Sequence, residues 1–208
     1  GIARVCRRPG LWLISDEVYE YQVWHGSHLS PRAIPGMAER TLVVGSMSKS
    51  HAMTGSRLGW VVGPEDAIAA IGDLATHTNY GVAGFVQMAA LWALRQGDTL
   101  EEEVAAPFRR RRALVGKILS GQEVVREIPA EGAMYVMLDI RAAGLTAHAL
   151  ATELLEREGI AVMPGESFGS AAAGHVRVAL TIDDPALEDA LARLCRLAAD
   201  HAAARARA

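Results

Sequence analysis

Lysine is almost missing from this chain: of its 21 basic residues, only Lys49 and Lys117 are lysines. Cysteine is scarce too. Cys6 and Cys195 stand far apart, in no metal-ligand spacing, which excludes a disulfide framework and a thiolate metal site and reads as two reduced core thiols. Aromatic residues make up 5% of the chain against 50% hydrophobic residues, so a sizeable core is expected, aliphatic and alanine-rich. A net charge of −3 gives no overall pull toward nucleic acid or an anionic membrane. No apolar run approaches the ~18 residues that span a bilayer, and no signal peptide is recognisable. These absences together point to a cytoplasmic protein. The 208 residues suffice for one large domain or two small ones. The chain starts on Gly1 and reaches the apolar run Leu11–Ile14 almost at once, so it reads as a piece of a longer protein.

Three short runs are apolar on both faces: Leu11–Ile14, Thr41–Gly45 and Leu58–Val62. Such runs fit buried strands of a sheet covered on both sides. Pro64 opens a helix over Glu65–Ile71, and Val86–Leu94 reads as a buried helix, apolar nearly all round. Leu100–Leu119 reads as a long helix that Pro107 kinks or divides. The texture then changes. Val124–Val125, Met134–Leu138, Ile160–Met163 and Val176–Leu180 are strand-like. Thr146 caps a helix over Ala147–Glu158 that Gly159 stops. Asp184-Pro185 starts a last helix, with Leu187, Leu191, Leu194 and Leu197 on one face and a frayed tail over His201–Ala208. The expected class is α/β, with part of an α/β layer over residues 1–105 and a smaller α+β domain over 106–208.

The chemistry gathers around Lys49. An amine that attacks a carbonyl must be neutral, which takes burial or a neighbouring positive charge, and Lys49 stands just past an apolar strand. Ser46 precedes it by three residues and Arg57 follows by eight, a hydroxyl and a guanidinium fork that suit a phosphate. Gly45, Gly55 and Gly59 are expected to allow tight turns nearby. Asp16 closes the first apolar run, where a carboxylate can hold a proton on a pyridinium nitrogen, and Tyr19 lies three residues on.

The segments Ser15-Asp-Glu-Val-Tyr-Glu20 and Ser46-Met-Ser-Lys-Ser-His-Ala-Met-Thr-Gly-Ser-Arg-Leu-Gly59 resemble the class I/II aminotransferases, fold-type I pyridoxal-phosphate enzymes of the aspartate aminotransferase type. Pro164–Gly169, His175–Leu180 and Gly132–Tyr135 are similar to further segments of that family, so the resemblance runs through essentially the whole chain. Within the family, the run Ser48–Gly55 looks most like the arginine–pyruvate transaminase subgroup. Where related members often have Trp before the phosphate-binding arginine, this chain has Ser56.

The resemblance implies a C-terminal part of the family's large domain, three strands of a mostly parallel sheet with helices, followed by the small domain. Gly1–Pro9 would be a helix preceding those strands. Lys49 would hold pyridoxal phosphate as a Schiff base and shuttle a proton; Asp16 would pair with the ring nitrogen and Tyr19 with the phenolic oxygen. Ser46 and Arg57 would bind the phosphate. Arg177 would grip the substrate α-carboxylate, a task lysine serves poorly. The family's N-terminal half, with its own phosphate-binding turn, stacking aromatic and Asn, has no counterpart here, so unpaired edges and exposed apolar faces are expected. The implied partners are an amino acid, a 2-oxo acid and a second copy in a homodimer, with no nucleic acid and no membrane. Two alternatives stand beside amino-group transfer: a lyase on the same scaffold, and the aminotransferase-like sensor domain of a transcription regulator.

Three other signals are set aside. His25 and His28 have metal-like spacing but lie in a polar loop with no nearby cysteine or carboxylate set. Arg109–Arg112 reads as a solvated helix face. Asn79-Tyr80 reads as a loop or cap ahead of a shared-site role in a dimer.

Overall fold

The computed structural model describes residues 1–8 and 10–207, in two units that divide between Ala105 and Ala106. Pro9 and Ala208, which belong to the expected first helix and tail, lie outside the described residues.

In the first unit a short helix, α1 (Ile2–Cys6), precedes β1 (Leu13–Asp16). Residues 17–40 hold two single 3-10 turns and lead to β2 (Thr41–Ser46), which lies parallel to β1 with Leu13 opposite Thr41 and Asp16 opposite Val44. Strand β2 passes without a loop into α2 (Met47–Ser50). After another 3-10 turn, β3 (Gly59–Val62) returns antiparallel to β2, with Gly45 opposite Trp60 and Ser46 opposite Gly59. The order β1-β2-β3 makes a mixed sheet with β2 at its centre.

Gly45 and Gly59 serve close approach rather than the tight turns their positions suggested. A Cβ on Gly45 would strike the Trp60 indole, and one on Gly59 would stand 2.6 Å from the Gly45 carbonyl.

The expectation of strands covered on both faces is corrected. Ile14 is 68% exposed, and Trp12, Asp16 and Val62 are also exposed, so this chain covers one face of the sheet only in part. Helices α3 (Glu65–Thr78) and α4 (Gly84–Leu94) complete the unit together with the first turns of α5 (Asp98–Leu119). Pro64 is the N-cap of α3 rather than a helical residue, and that helix runs a full two turns past Ile71. Helix α4 is not buried all round. Its Ala90 and Ala93 pack with Met47, while Phe85 (79%), Met88 (64%) and Trp92 (61%) stand exposed at a helical spacing. Pro107 lies inside α5 without ending it.

In the second unit, β4 (Arg126–Ile128), β5 (Tyr135–Asp139), β6 (Met163–Pro164) and β7 (His175–Ala179) form an antiparallel sheet in the order β4-β5-β7-β6. Strand β4 begins beyond Val125, whose side chain is buried in the core instead. Helix α6 (Ala147–Glu153) is capped by the Thr146 hydroxyl, passes into a π-helical turn over Leu154–Glu158 and stops at Gly159, which is left-handed. Only Met163 and Pro164 of the run from Ile160 pair as a strand. Helix α7 (Asp184–Ala206) is capped by Asp183 and buries Leu187, Leu191, Leu194 and Leu197 against Val136, Leu138, Val176 and Val178.

Two further expectations are corrected in this unit. The tail is helical to Ala206, because alanine is the best helix former and His201 Nε2 meets Glu153 Oε2 at 2.8 Å. The basic run is not simply a solvated face. Arg110 and Arg111 both hold Asp184, Arg111 also donates to Leu180 O, and Arg112 donates to Ala130 O.

Candidate active site

The register of the first sheet brings distant parts of the sequence to one edge. Parallel pairing places the carboxyl ends of β1 and β2 side by side, so Asp16 stands next to the strand end that becomes Ser46–Lys49. Antiparallel pairing of Ser46 with Gly59 puts Arg57, two residues before Gly59, at the same edge. Ligand sites in open α/β sheets lie outside the carboxyl ends of strands.

Ser46 leaves the strand in extended conformation and caps α2, its Oγ accepting from Ser48 N at 3.0 Å. The same oxygen lies 2.9 Å from Ser48 Oγ and 3.1 Å from Leu58 O, which ties the α2 turn to the approach of β3. Lys49 follows on α2, half-buried. The loop beyond it is closed by Thr54 Oγ1 donating to Ser48 O (2.8 Å) and by Arg57 Nη1 donating to Thr54 O (2.8 Å). Arg57 is exposed and adopts a left-handed backbone, φ 53°, uncommon for a residue with a side chain.

Tyr19 lies half-buried in a turn closed by Gln22 N donating to Tyr19 O at 2.9 Å. Gln22 is buried, and its Nε2 donates to Lys49 O at 3.1 Å. The turn after β1 is therefore fastened to the backbone of Lys49 itself. Asp16 is exposed, and its Oδ1 accepts from Val18 N at 3.3 Å. Arg177 lies in the second unit, on the central strand β7, with its guanidinium carbon 4.3 Å from the Tyr135 ring centre and 4.6 Å from that of Phe168.

Beside the edge, His28 does meet carboxylates, contrary to the reading of its loop. Glu17 Oε2 lies 2.7 Å from His28 Nε2, Glu17 Oε1 accepts from Ser30 Oγ at 2.8 Å, and Glu20 offers a further oxygen within 4.8 Å of the same group. Both Glu17 oxygens are thus engaged in tying loop 25–30 back to β1. Burial opposes the Glu17 charge, but hydrogen bonds from His28, Ser30 and Ser15 outweigh it and hold the carboxyl below its ordinary value. Burial pushes the Glu20 carboxyl up. It also pushes the Tyr21 phenol up, helped by Glu20, Glu101 and Asp98.

Sequence reasoning missed Gln22 and a second buried set. His51, two residues after Lys49, places Nδ1 2.8 Å from Ser50 Oγ and Nε2 3.2 Å from Glu101 Oε1. The only local signal is a histidine beside the lysine; its partner lies on α5, and only the fold joins them. Asn79 caps α3, and its Oδ1 accepts from Gly81 N.

The sequence model of aminotransferase class I and II matches residues 1–194. The chain belongs to the class I and II aminotransferases. It is 44% identical over 199 residues to the arginine–pyruvate transaminase of Pseudomonas aeruginosa, covering 96% of this chain and 51% of that protein. It is 33% identical over 207 residues to an aspartate aminotransferase of Streptomyces avermitilis, covering 94% of this chain and 50% of that protein. Among solved structures, the aromatic aminotransferase from Pyrococcus horikoshii superposes with a TM-score of 0.89 at 34% identity, over 96% of this chain and 54% of that one. The Thermus thermophilus aspartate aminotransferase with maleate superposes with a TM-score of 0.86 at 33% identity, over 94% and 50%. The chain thus spans about half the length of the aminotransferases it matches. The α/β fold is that of the C-terminal half of this family, whose members use pyridoxal phosphate.

Proposed function

We propose that this chain carries the lysine-bearing part of a pyridoxal-phosphate-dependent aminotransferase that moves an amino group between an amino acid and a 2-oxo acid. The observation that carries the reading is the convergence of Asp16, Ser46, Lys49 and Arg57 on one edge of the first sheet. The residues present suit the cofactor. The Ser46 and Ser48 hydroxyls lie 2.9 Å apart and the exposed Arg57 guanidinium ends the loop that follows them, groups that suit a phosphate, and a carboxylate ends the neighbouring strand for a ring nitrogen. When bound, pyridoxal phosphate supplies an electron sink for the bonds at the amino acid's Cα.

Each residue then has a task. Lys49 Nζ would hold the cofactor and, as a free amine, would take up the proton from the substrate's Cα. Gln22 fixes the lysine's backbone, so the reach of Nζ is set by its own side chain. Asp16 holds the proton on the ring nitrogen, and Tyr19 donates to the phenolic oxygen. Ser46 and Arg57 bind the phosphate. Arg177 binds the substrate α-carboxylate with two parallel N–H groups.

The arginine–pyruvate relative makes L-arginine with pyruvate the donor and acceptor of this proposal. A homodimer is the assembly the reading carries, with the exposed Phe85, Met88 and Trp92 in support of further covering surfaces. Two buried free thiols fit a cytoplasmic setting, and among the described residues no helix is long and apolar enough to cross a membrane.

The test is borohydride reduction of the cofactor-loaded full-length protein, followed by peptide mapping. The pyridoxyl label is expected on Lys49. Label on Lys117, or on neither lysine, refutes the assignment. Dependence of turnover on an added 2-oxo acid is the expected sign of transfer; release of ammonia without one would mark a lyase.

A further inference from the structure

Arg177 is held in an unusual way for a half-buried cation. Its strand neighbours Val176 and Val178 point into the core, which turns Arg177 to the opposite face of the sheet. There its guanidinium carbon lies over two aromatic rings, Tyr135 at 4.3 Å and Phe168 at 4.6 Å. Among the described residues no hydrogen bond or ion pair engages the guanidinium, which rests on the two π systems. Aromatic rings attract a guanidinium through its flat face. They leave its N–H edge, the part that recognises a carboxylate, open.

The two rings come from different elements. Tyr135 begins β5 and stands opposite Ala179, one step along the same face from Arg177. Phe168 ends the 3-10 turn Gly165–Phe168, which is fixed at its first two residues. A Cβ on Gly165 would collide with Ala172 O and stand 2.6 Å from His175 O, so the turn packs directly on the chain entering β7. Glu166 then accepts from Ala147 N at 3.1 Å and from Gly174 N at 3.3 Å, pinning the turn to α6 and to the same β7 entry. Phe168 is thereby presented to Arg177 although half of its surface is exposed.

We propose that Tyr135 and Phe168 are positioning residues for substrate recognition: they hold the Arg177 guanidinium by its faces and so fix the plane in which an α-carboxylate must bind. The inference rests on the carboxylate-binding role of Arg177 given under the proposed function. Selectivity for α-amino acids over the corresponding amines then depends on two side chains that need not touch the substrate.

The experiment uses the cofactor-loaded full-length enzyme with Phe168→Leu, Phe168→Tyr, Tyr135→Leu and Arg177→Gln. Phe168→Leu keeps an apolar group and removes the π face; Phe168→Tyr restores the ring. Thermal melting confirms that each variant is folded. The readouts are KM and kcat for L-arginine, the half-reaction with agmatine, which is arginine without its carboxylate, and calorimetric binding of propanoate, a carboxylate without an amine. Phe168→Leu and Tyr135→Leu are expected to raise KM for L-arginine and the Kd for propanoate about 5- to 10-fold. Changes in kcat should stay within about twofold, the agmatine half-reaction should not change, and Phe168→Tyr should restore the parent values. If Arg177→Gln abolishes propanoate binding while both leucine variants bind it like the parent, the positioning role is wrong and the role of Arg177 stands. If Arg177→Gln itself leaves propanoate binding and KM unchanged, the carboxylate role fails and this inference falls with it. Equal losses with L-arginine and agmatine would also overturn it, since they would mark general disruption of the site.

Discussion

His51 Nε2 lies 3.2 Å from Glu101 Oε1, with only 2% and 8% of the two side chains exposed. Despite that proximity neither His51 Nε2 nor Glu101 Oε2 makes a hydrogen bond among the described residues. Two buried polar groups therefore rely on proximity to each other beside the Lys49 turn. Removing one strands the other in a poorly solvated place. His51→Ala is expected to destabilise the protein by about 3 kcal/mol, because it leaves a buried carboxylate alone. The double variant His51→Leu/Glu101→Leu should recover most of that loss. Urea denaturation of the four-member cycle measures the coupling.

Ala133 adopts φ 67°, the left-handed region that disfavours a Cβ. Glycine carries no such penalty, which for an L-residue is about 1–2 kcal/mol, although it loses more backbone entropy on folding, about 0.5–1 kcal/mol. Ala133→Gly should therefore stabilise the protein by about 0.5 kcal/mol, visible as a small rise in Tm. A drop in Tm would mean that the turn before Tyr135 depends on the methyl group.

Arg141 grips Asp139 through two side-chain hydrogen bonds and holds its carboxyl at about 2. A carboxyl depressed in the folded state adds stability above its ordinary value and loses it as pH falls toward the depressed one. The contribution should thus be full at neutral pH and vanish between about pH 4 and pH 2. Arg141 is exposed, so solvent screening keeps it small. Asp139→Asn should flatten that part of the stability profile, followed by circular dichroism in urea at each pH.

Cys6 and Cys195 are both buried and free, and burial pushes the Cys195 thiol up, away from the reactive thiolate. Iodoacetamide should leave the folded protein unmodified at neutral pH and label both cysteines in denaturant, as mass spectrometry would read. Rapid labelling of Cys195 under native conditions would contradict the packing of α7.

Phe85, Met88 and Trp92 form an exposed apolar stripe along α4. Residues 1–208 expressed alone are expected to self-associate with rising concentration, as such stripes do when uncovered. Phe85→Gln with Trp92→Gln should shift the sedimentation profile toward monomer; a parent that is monomeric at every concentration would refute the expectation.

Much of this architecture was legible because its determinants are local. Apolar runs marked β1, β2 and β3, Thr146 and Gly159 bracketed a helix, and Leu187, Leu191, Leu194 and Leu197 announced the buried face of α7. The sequence pattern around Lys49 was legible for the same reason, since Ser46, Lys49 and Arg57 sit within one strand–turn–strand passage. What escaped was set by distant partners. Whether a hydrophobic helix is buried depends on what packs against it, and an apolar surface nearly all round made α4 read as buried when most of its residues are exposed. The pairing of Glu17 with His28 and of Glu101 with His51 arises only where the fold puts an imidazole beside each carboxyl. Gly45 and Gly59 were visible as glycines, but the reasons for them, an indole lying across Gly45 and the Gly45 carbonyl close against Gly59, exist only once β2 and β3 pair.

That indole also gives the protein an optical reporter of its own. Trp60 lies opposite Gly45, one residue before Ser46 on the strand that leads to Lys49. A pyridoxal chromophore absorbs where tryptophan emits, so a cofactor seated at this edge would drain the excited state of Trp60. Loading of the site could then be followed by the dimming of a fluorophore the chain already carries.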